Sequence, residues 1–220
     1  DPRATELCQA FADLYNVNWE QVTAGNGSDE LIPLLFAALV APKDKVLTVN
    51  PDFSMYGIAA MMNDVEQVVY QTEDFFVNVD DVLAMAKEED VAMLMFSNPC
   101  NPTGVVIPRE EIVRMIDSFD GLVVVDEAYM DFSDQSVLNL AGKRDNLIVL
   151  KTCSKALGLA GLRVGFAITT DELTKYLQVG KAVYNIGRLT QALATAALRR
   201  QDRDDLAHGG DDAVVDHQIV

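Results

Sequence analysis

Short, nearly unbroken apolar runs alternate with stretches whose apolar residues recur every three or four positions, and the alternation holds from about residue 22 to residue 168. The runs at residues 45–49, 66–70, 92–97, 122–126, 147–151 and 163–169 predict β-strands. Several are apolar at every position, as strands are when helices cover both faces of a largely parallel sheet. A further strand is expected to end at the turn Ala24-Gly25-Asn26-Gly27. Helices fit between the strands. Pro108 followed by Glu110 and Glu111 is a favourable helix start, because proline lacks a donor where none is needed and carboxylates complement the free N–H groups of a first turn. Ile112, Met115, Ile116 and Phe119 then share one face. Residues 79–87 repeat the arrangement, with Asp80 and Asp81 near the start. Ser28-Asp29-Glu30 opens another helix, which Pro33 is expected to bend. The expected fold class is α/β, three layers with helices on both sides of a mostly parallel sheet.

Half of the 220 residues are hydrophobic, enough to bury the core of one large α/β domain or two small ones. No apolar run reaches membrane-spanning length and no charged-then-apolar leader opens the chain, so the expectation is a soluble, cytoplasmic protein with no membrane partner. Cys8, Cys100 and Cys153 are scattered without CxxC pairing, which argues against a disulfide framework or a zinc cluster. A net charge of −17 repels the nucleic-acid backbone, so no nucleic-acid partner is expected. The two histidines are His208 and His217; residues 1–207 therefore hold no Ser-His-Asp or Cys-His arrangement and no histidine ligand for a metal. The last twenty residues carry six aspartates and a Gly209-Gly210 pair and predict an acidic, poorly ordered tail over 201–220. His208, Asp211, Asp212 and His217 could be drawn together there, but an acidic terminal run is usually only solvated, and no metal site is expected.

The chemistry must come from lysine, carboxylates, tyrosine or a cofactor. Lys155 lies between two apolar runs, where burial would favour the neutral amine that attacks a carbonyl; the bland reading is an ordinary solvated lysine at a strand end. Arg163 follows eight residues later behind glycine-rich turns and could hold a cofactor phosphate near that amine. Other polar residues fall beyond the carboxyl ends of predicted strands, where open α/β sheets gather ligands. Asp126 ends one strand and needs a cation, a capping role or a buried salt bridge to offset its burial. Asn98-Pro99-Cys100-Asn101-Pro102-Thr103-Gly104 follows another, and its two Asn-Pro steps make a rigid turn that can fix an amide. Gly25-Asn26-Gly27-Ser28-Asp29-Glu30 could offer backbone N–H groups to a phosphate, although Glu30 replaces the third glycine of a dinucleotide fingerprint.

Gly25 to Glu30, Pro51-Asp52-Phe53-Ser54-Met55-Tyr56, Asn98 to Gly104, Asp126-Glu127-Ala128-Tyr129 and Ser154-Lys155 through Gly165, in this order, resemble the fold type I pyridoxal-phosphate aminotransferases, most of all their histidinol-phosphate branch. The resemblance covers roughly residues 1–200 and implies the pyridoxal-phosphate-binding large domain of that fold. It implies that Lys155 attaches pyridoxal 5'-phosphate covalently and shuttles the substrate proton, and that Asp126 pairs with the pyridine nitrogen. Asn101 and Tyr129 would bond the ring hydroxyl, and Phe53 would stack on the ring, although plain core packing is the competing account of Phe53. Ser154, Arg163 and the backbone at Ser28 and Asp29 would hold the phosphate.

The implied reaction moves an amino group between L-histidinol phosphate and 2-oxoglutarate in a homodimer, so the partners are a small-molecule amino donor and a 2-oxo acid. Cys100 stands where many relatives carry asparagine. The resemblance further implies an N-terminal arm and a C-terminal small domain lying outside residues 1–220. Two classes of function stay open: a transaminase, with an aromatic aminotransferase or an amino-acid-phosphate decarboxylase as its nearest alternatives, and a non-catalytic cofactor-binding remnant.

Overall fold

The structure, a computed structural model, describes residues 1–201. In chain order the elements are α1 (Thr5–Tyr15), β1 (Val22–Gly25), α2 (Ser28–Leu39), β2 (Lys45–Asn50), α3 (Met55–Met62), β3 (Glu66–Gln71), α4 (Val79–Glu88) and β4 (Val91–Ser97). They continue as α5 (Arg109–Ser118), β5 (Leu122–Asp126), β6 (Leu147–Thr152), β7 (Gly165–Ile168), α6 (Asp171–Gly180) and α7 (Arg188–Leu198). The strands form one sheet in the order β1-β7-β6-β5-β4-β2-β3. β3, β2, β4, β5 and β6 run parallel, whereas β7 is antiparallel to both β6 and β1.

Alternation along the strands divides the core between two layers. Leu94, Phe96, Val123, Val125, Leu147 and Val149 face α1, α4, α5 and α7, packing with Phe11, Val82, Ile112 and Leu198. Met93, Met95, Val124, Ile148 and Leu150 face α2, α3 and α6, packing with Leu35, Phe36, Tyr56 and Leu177. Strands covered on both sides have no polar face, which is why their sequences are apolar throughout.

The predicted strands appear with ends displaced by a residue or so, except the last. Arg163 is not in a strand: it sits at φ 51 after a short 3₁₀ turn, Ala160–Leu162, and β7 begins at Gly165. The segment joining β6 to β7 is a turn-rich loop without a crossover helix, and the strand returns antiparallel. Helix α2 runs through Pro33, whose missing donor leaves only the Asp29 carbonyl, on the exposed first turn, without its in-helix partner. Phe119 falls just outside α5 as an extended, half-buried residue. Among the described residues no helix is long and apolar enough to cross a membrane. Cys8, Cys100 and Cys153 are free thiols, the first and last buried. The acidic tail, with its candidate metal set His208, Asp211, Asp212 and His217, lies outside the described residues apart from Gln201.

Candidate functional site

Parallel strands in register deliver their carboxyl ends to one edge of the sheet: Ser97 pairs with Asp126 across β4 and β5, and Asp126 with Leu150 across β5 and β6. Beyond that edge lies a cleft of about 610 Å³, open solvent at its mouth included. Its lining includes every residue singled out from the sequence: Ser28, Asp29, Phe53, Asn101, Asp126, Tyr129, Ser154, Lys155 and Arg163. Tyr56, Ser97, Ala128 and Thr152 complete the wall.

Asp126 is 4% exposed. Its carboxylate accepts hydrogen bonds from Tyr56 Oη at 3.0 Å and from the Ala128 N–H at 3.1 Å. It therefore caps the following turn, and none of the ion pairs among the described residues includes it. Burial pushes the carboxyl from 3.8 up to about 6; the two hydrogen bonds oppose the rise, and the negative charges of Asp52 and Asp29 add to it. The Tyr56 phenol is held well above its usual value, first by burial and then by the adjacent carboxylates. A buried acid with donors but no cation is suited to a cationic group on a ligand.

A guanidinium and backbone N–H groups meet at the start of α2. Gly27 adopts φ +80, and a Cβ there would stand 2.7 Å from Arg163 Nη2. A Cβ on Gly165 would stand 2.4 Å from the Ser28 nitrogen and 2.7 Å from the Gly27 carbonyl carbon. The two glycines thus let the helix start press onto β7 and beside Arg163. Glu30 binds back to the Asn26 N–H at 2.6 Å, while the Ser28 and Asp29 N–H groups have no partner among the described residues. Arg163 donates to Ser154 Oγ at 3.3 Å and to the Asp29 carboxylate at 2.6 Å. The Arg163–Asp29 pair is about half exposed on both sides, so it is weak and an incoming anion can compete for the guanidinium.

The expectation of a buried Lys155 is not met. Lys155 is exposed in the turn after β6, its Nζ 5.1 Å from the centre of the Tyr129 ring. The buried lysine of this strand is Lys151, which is 2% exposed, is paired with Asp131 at 2.6 Å and lies over the Tyr15 ring on the α1 side of the sheet. Four residues, through the end of β6 and its following turn, carry the chain from that face into the cleft. Phe53 stands edge-on to Tyr56, ring centres 5.8 Å apart, and keeps a half-exposed face. The Asn98 amide staples its loop by donating to the Ile107 carbonyl at 3.1 Å and accepting the Ile107 N–H at 2.8 Å; the Asn101 side-chain amide has no partner among the described residues.

Sequence reasoning gave no role to Tyr56, Ser97 or Asp52. Tyr56 comes one helical turn after Phe53, a spacing that places both on one face and could have flagged it. Ser97 offered no signal beyond ending its strand.

The family model described as aminotransferase class I and II matches residues 1–210. The histidinol-phosphate aminotransferase of Clostridium novyi is 42% identical over 203 residues, 92% of this chain and 57% of the relative. That of Bacteroides fragilis is 40% identical over 203 residues, 91% of this chain and 59% of the relative. The crystal structure of histidinol-phosphate aminotransferase from Sinorhizobium meliloti in complex with pyridoxal-5'-phosphate superposes with a TM-score of 0.87 at 25% identity, covering 94% of this chain and 58% of that one. The chain thus spans somewhat more than half the length of the curated relatives it matches.

Proposed function

The chain belongs to the class I and II aminotransferases, and from that premise we propose that it binds pyridoxal 5'-phosphate in this cleft and serves transamination between L-histidinol phosphate and 2-oxoglutarate. The observation that carries the reading is Asp126, a buried carboxylate with donors but, among the described residues, no cation, in the same cleft as backbone N–H groups without a partner there and a primary amine. Those three features fit the charges and the aldehyde of this cofactor. When bound, pyridoxal phosphate supplies an electron sink that lets a substrate α-carbon release its proton.

In this reading Asp126 keeps the ring nitrogen protonated. The Ser28 and Asp29 N–H groups at the start of α2, Ser154 Oγ and the Arg163 guanidinium hold the phosphate, the guanidinium being released from Asp29. The Asn101 amide and the Tyr129 hydroxyl donate to the ring hydroxyl, and the open face of Phe53 packs on the ring. Lys155 Nζ would attach the cofactor and, as a free amine, would carry the substrate's α-proton, and its exposed position would leave it free to do both. Residues 1–200 act as the cofactor-binding large domain, the enzyme works as a cytoplasmic homodimer, and the donor is named by the histidinol-phosphate relatives.

The test is direct. Pyridoxal phosphate added to the chain should give a visible absorption band that borohydride fixes as a mass adduct on Lys155, and L-histidinol phosphate should then convert the band to that of the aminated cofactor. An adduct on another lysine, or none, would refute the site. Attachment with no response to any amino donor would leave cofactor binding and remove the transaminase.

A further inference from the structure

Asp52 lies between the end of β2 and the ring at Phe53, and its half-buried carboxylate reaches across to the neighbouring strand β4. It accepts hydrogen bonds from the Phe53 N–H at 2.7 Å, from the Ser97 N–H at 2.9 Å and from the Ser97 hydroxyl. The same Ser97 Oγ accepts the Asn101 N–H at 3.0 Å. One carboxylate therefore ties the turn that carries Phe53 to the loop that carries Asn101, two walls of the same cleft that stand 48 positions apart in the chain. An acid that merely capped α3 would bond N–H groups of its own helix, yet Ser54, the capping position, makes no such bond and Asp52 spends two of its three acceptor contacts on β4. Burial raises this carboxyl to about 6, a cost borne at neutral pH for the sake of those contacts.

We propose that Asp52 is a positioning residue that, through Ser97, locks the Phe53 turn to the Asn101 loop and so fixes the stacking ring and the ring-hydroxyl donor relative to each other. This rests on the pyridoxal-phosphate reading of the cleft. Asp52→Asn keeps the shape but puts an amide donor against the Ser97 or Phe53 donors, so the lock opens. The Asn101 amide then drifts from the cofactor's ring oxygen, which loses a donor to its anionic form and becomes more basic.

Cofactor titrations at several pH values test this on wild type, Asp52→Asn, Ser97→Ala and the double variant, read by absorbance as well as affinity. Asp52→Asn is expected to weaken pyridoxal-phosphate binding about tenfold, about 1.4 kcal/mol, and to move the pH of the bound cofactor's spectral transition upward by about one unit, the spectroscopic equivalent of one lost hydrogen bond. Ser97→Ala moves both in the same direction by less, and the double variant adds little to Asp52→Asn because the two act in one chain of contacts. If Asp52→Asn lowers the melting temperature but leaves the spectral pH unmoved, its role is structural and the proposal falls. Should Asp52→Asn fail to fold, Ser97→Ala alone decides by the same spectral criterion. Failure of the wild type to take up cofactor at Lys155 overturns the functional reading itself and this proposal with it, an outcome distinct from a wild type that binds and variants that bind identically.

Discussion

Two lysines four residues apart on one strand and its turn differ in burial and in partners. Lys151 is buried and held by Asp131, with Tyr15 donating to the same carboxylate at 3.1 Å; Lys155 is exposed and opens on the cleft. Lys155→Ala is therefore expected to abolish the borohydride-stable adduct completely, with little change in the melting temperature. Lys151→Ala should instead cost about 3–5 kcal/mol in a urea titration, since it strands a buried carboxylate. Asp126 makes a pH prediction. Its carboxyl and that of Asp52 rise from 3.8 to about 6 on folding, and Glu127 shifts the same way, so the folded chain holds protons that the unfolded chain releases. Their favourable contribution is complete below about pH 3.8 and is lost as pH climbs through about 6. The urea midpoint of the cofactor-free chain should fall across that window, less steeply in Asp126→Asn and least in wild type saturated with pyridoxal phosphate, where a cation faces Asp126. An equally steep fall in Asp126→Asn would contradict the assignment. In the loaded enzyme the same substitution should lower the rate of α-proton removal by several kcal/mol of transition-state stabilisation.

The contact between α2 and β7 is where an element's placement decides the chemistry of its end. Gly165→Ala would drive a methyl into the Ser28 nitrogen and the Gly27 carbonyl carbon, both backbone atoms that cannot rotate away. The helix start must lift, at about 1–3 kcal/mol of stability, and the cradle of N–H groups lifts with it. Pyridoxal-phosphate affinity should drop at least tenfold, while pyridoxal without its phosphate should bind as it does to wild type; equal losses for both ligands would show that the helix start holds no phosphate. The central strands were legible in the sequence because burial on two faces leaves an uninterrupted apolar run. The direction of β7 was not, since its antiparallel pairing is decided by the loop that precedes it and by its partners β6 and β1. Helix α3 escaped because its apolar residues surround it: Ile58, Met61 and Met62 are exposed while Tyr56, Ala59 and Ala60 are buried, which leaves little periodic contrast. In the cleft, Asp126 at a strand end and Arg163 behind its glycine-rich turns could be picked out one at a time, and Lys155 was picked out on an expected burial that the structure does not give it. Ser97 and Asp52 could not, and Tyr56 only through its spacing from Phe53, because their meaning lies in contacts across 70 and 45 residues of chain.

For the whole molecule, two opposed features bear on whether copies associate. The chain carries a net charge of −17, which at low ionic strength repels a second copy. Against that stand large apolar side chains open to solvent on α3, with Met61 74% and Met62 70% exposed, and along α6, α7 and their connection, with Val179 87% and Leu189 73% exposed beside Tyr184 and Leu193. Apolar side chains this open to solvent favour association where they adjoin on one face. Charge repulsion acts over about 10 Å at 0.1 M salt and about 3 Å at 1 M, whereas apolar contact is not screened. Raising salt should therefore strengthen self-association, the reverse of an interface held by ion pairs. Sedimentation velocity at a fixed micromolar concentration should show the weight-average mass rising between about 0.05 and 0.5 M salt, the range over which the screening length shrinks severalfold. Met61→Glu with Met62→Lys, and separately Val179→Lys with Leu189→Glu, identify which face carries the contact while leaving the net charge of each double variant unchanged. If mass falls with salt, or if neither double variant changes it, the exposed apolar faces are not what brings the copies together.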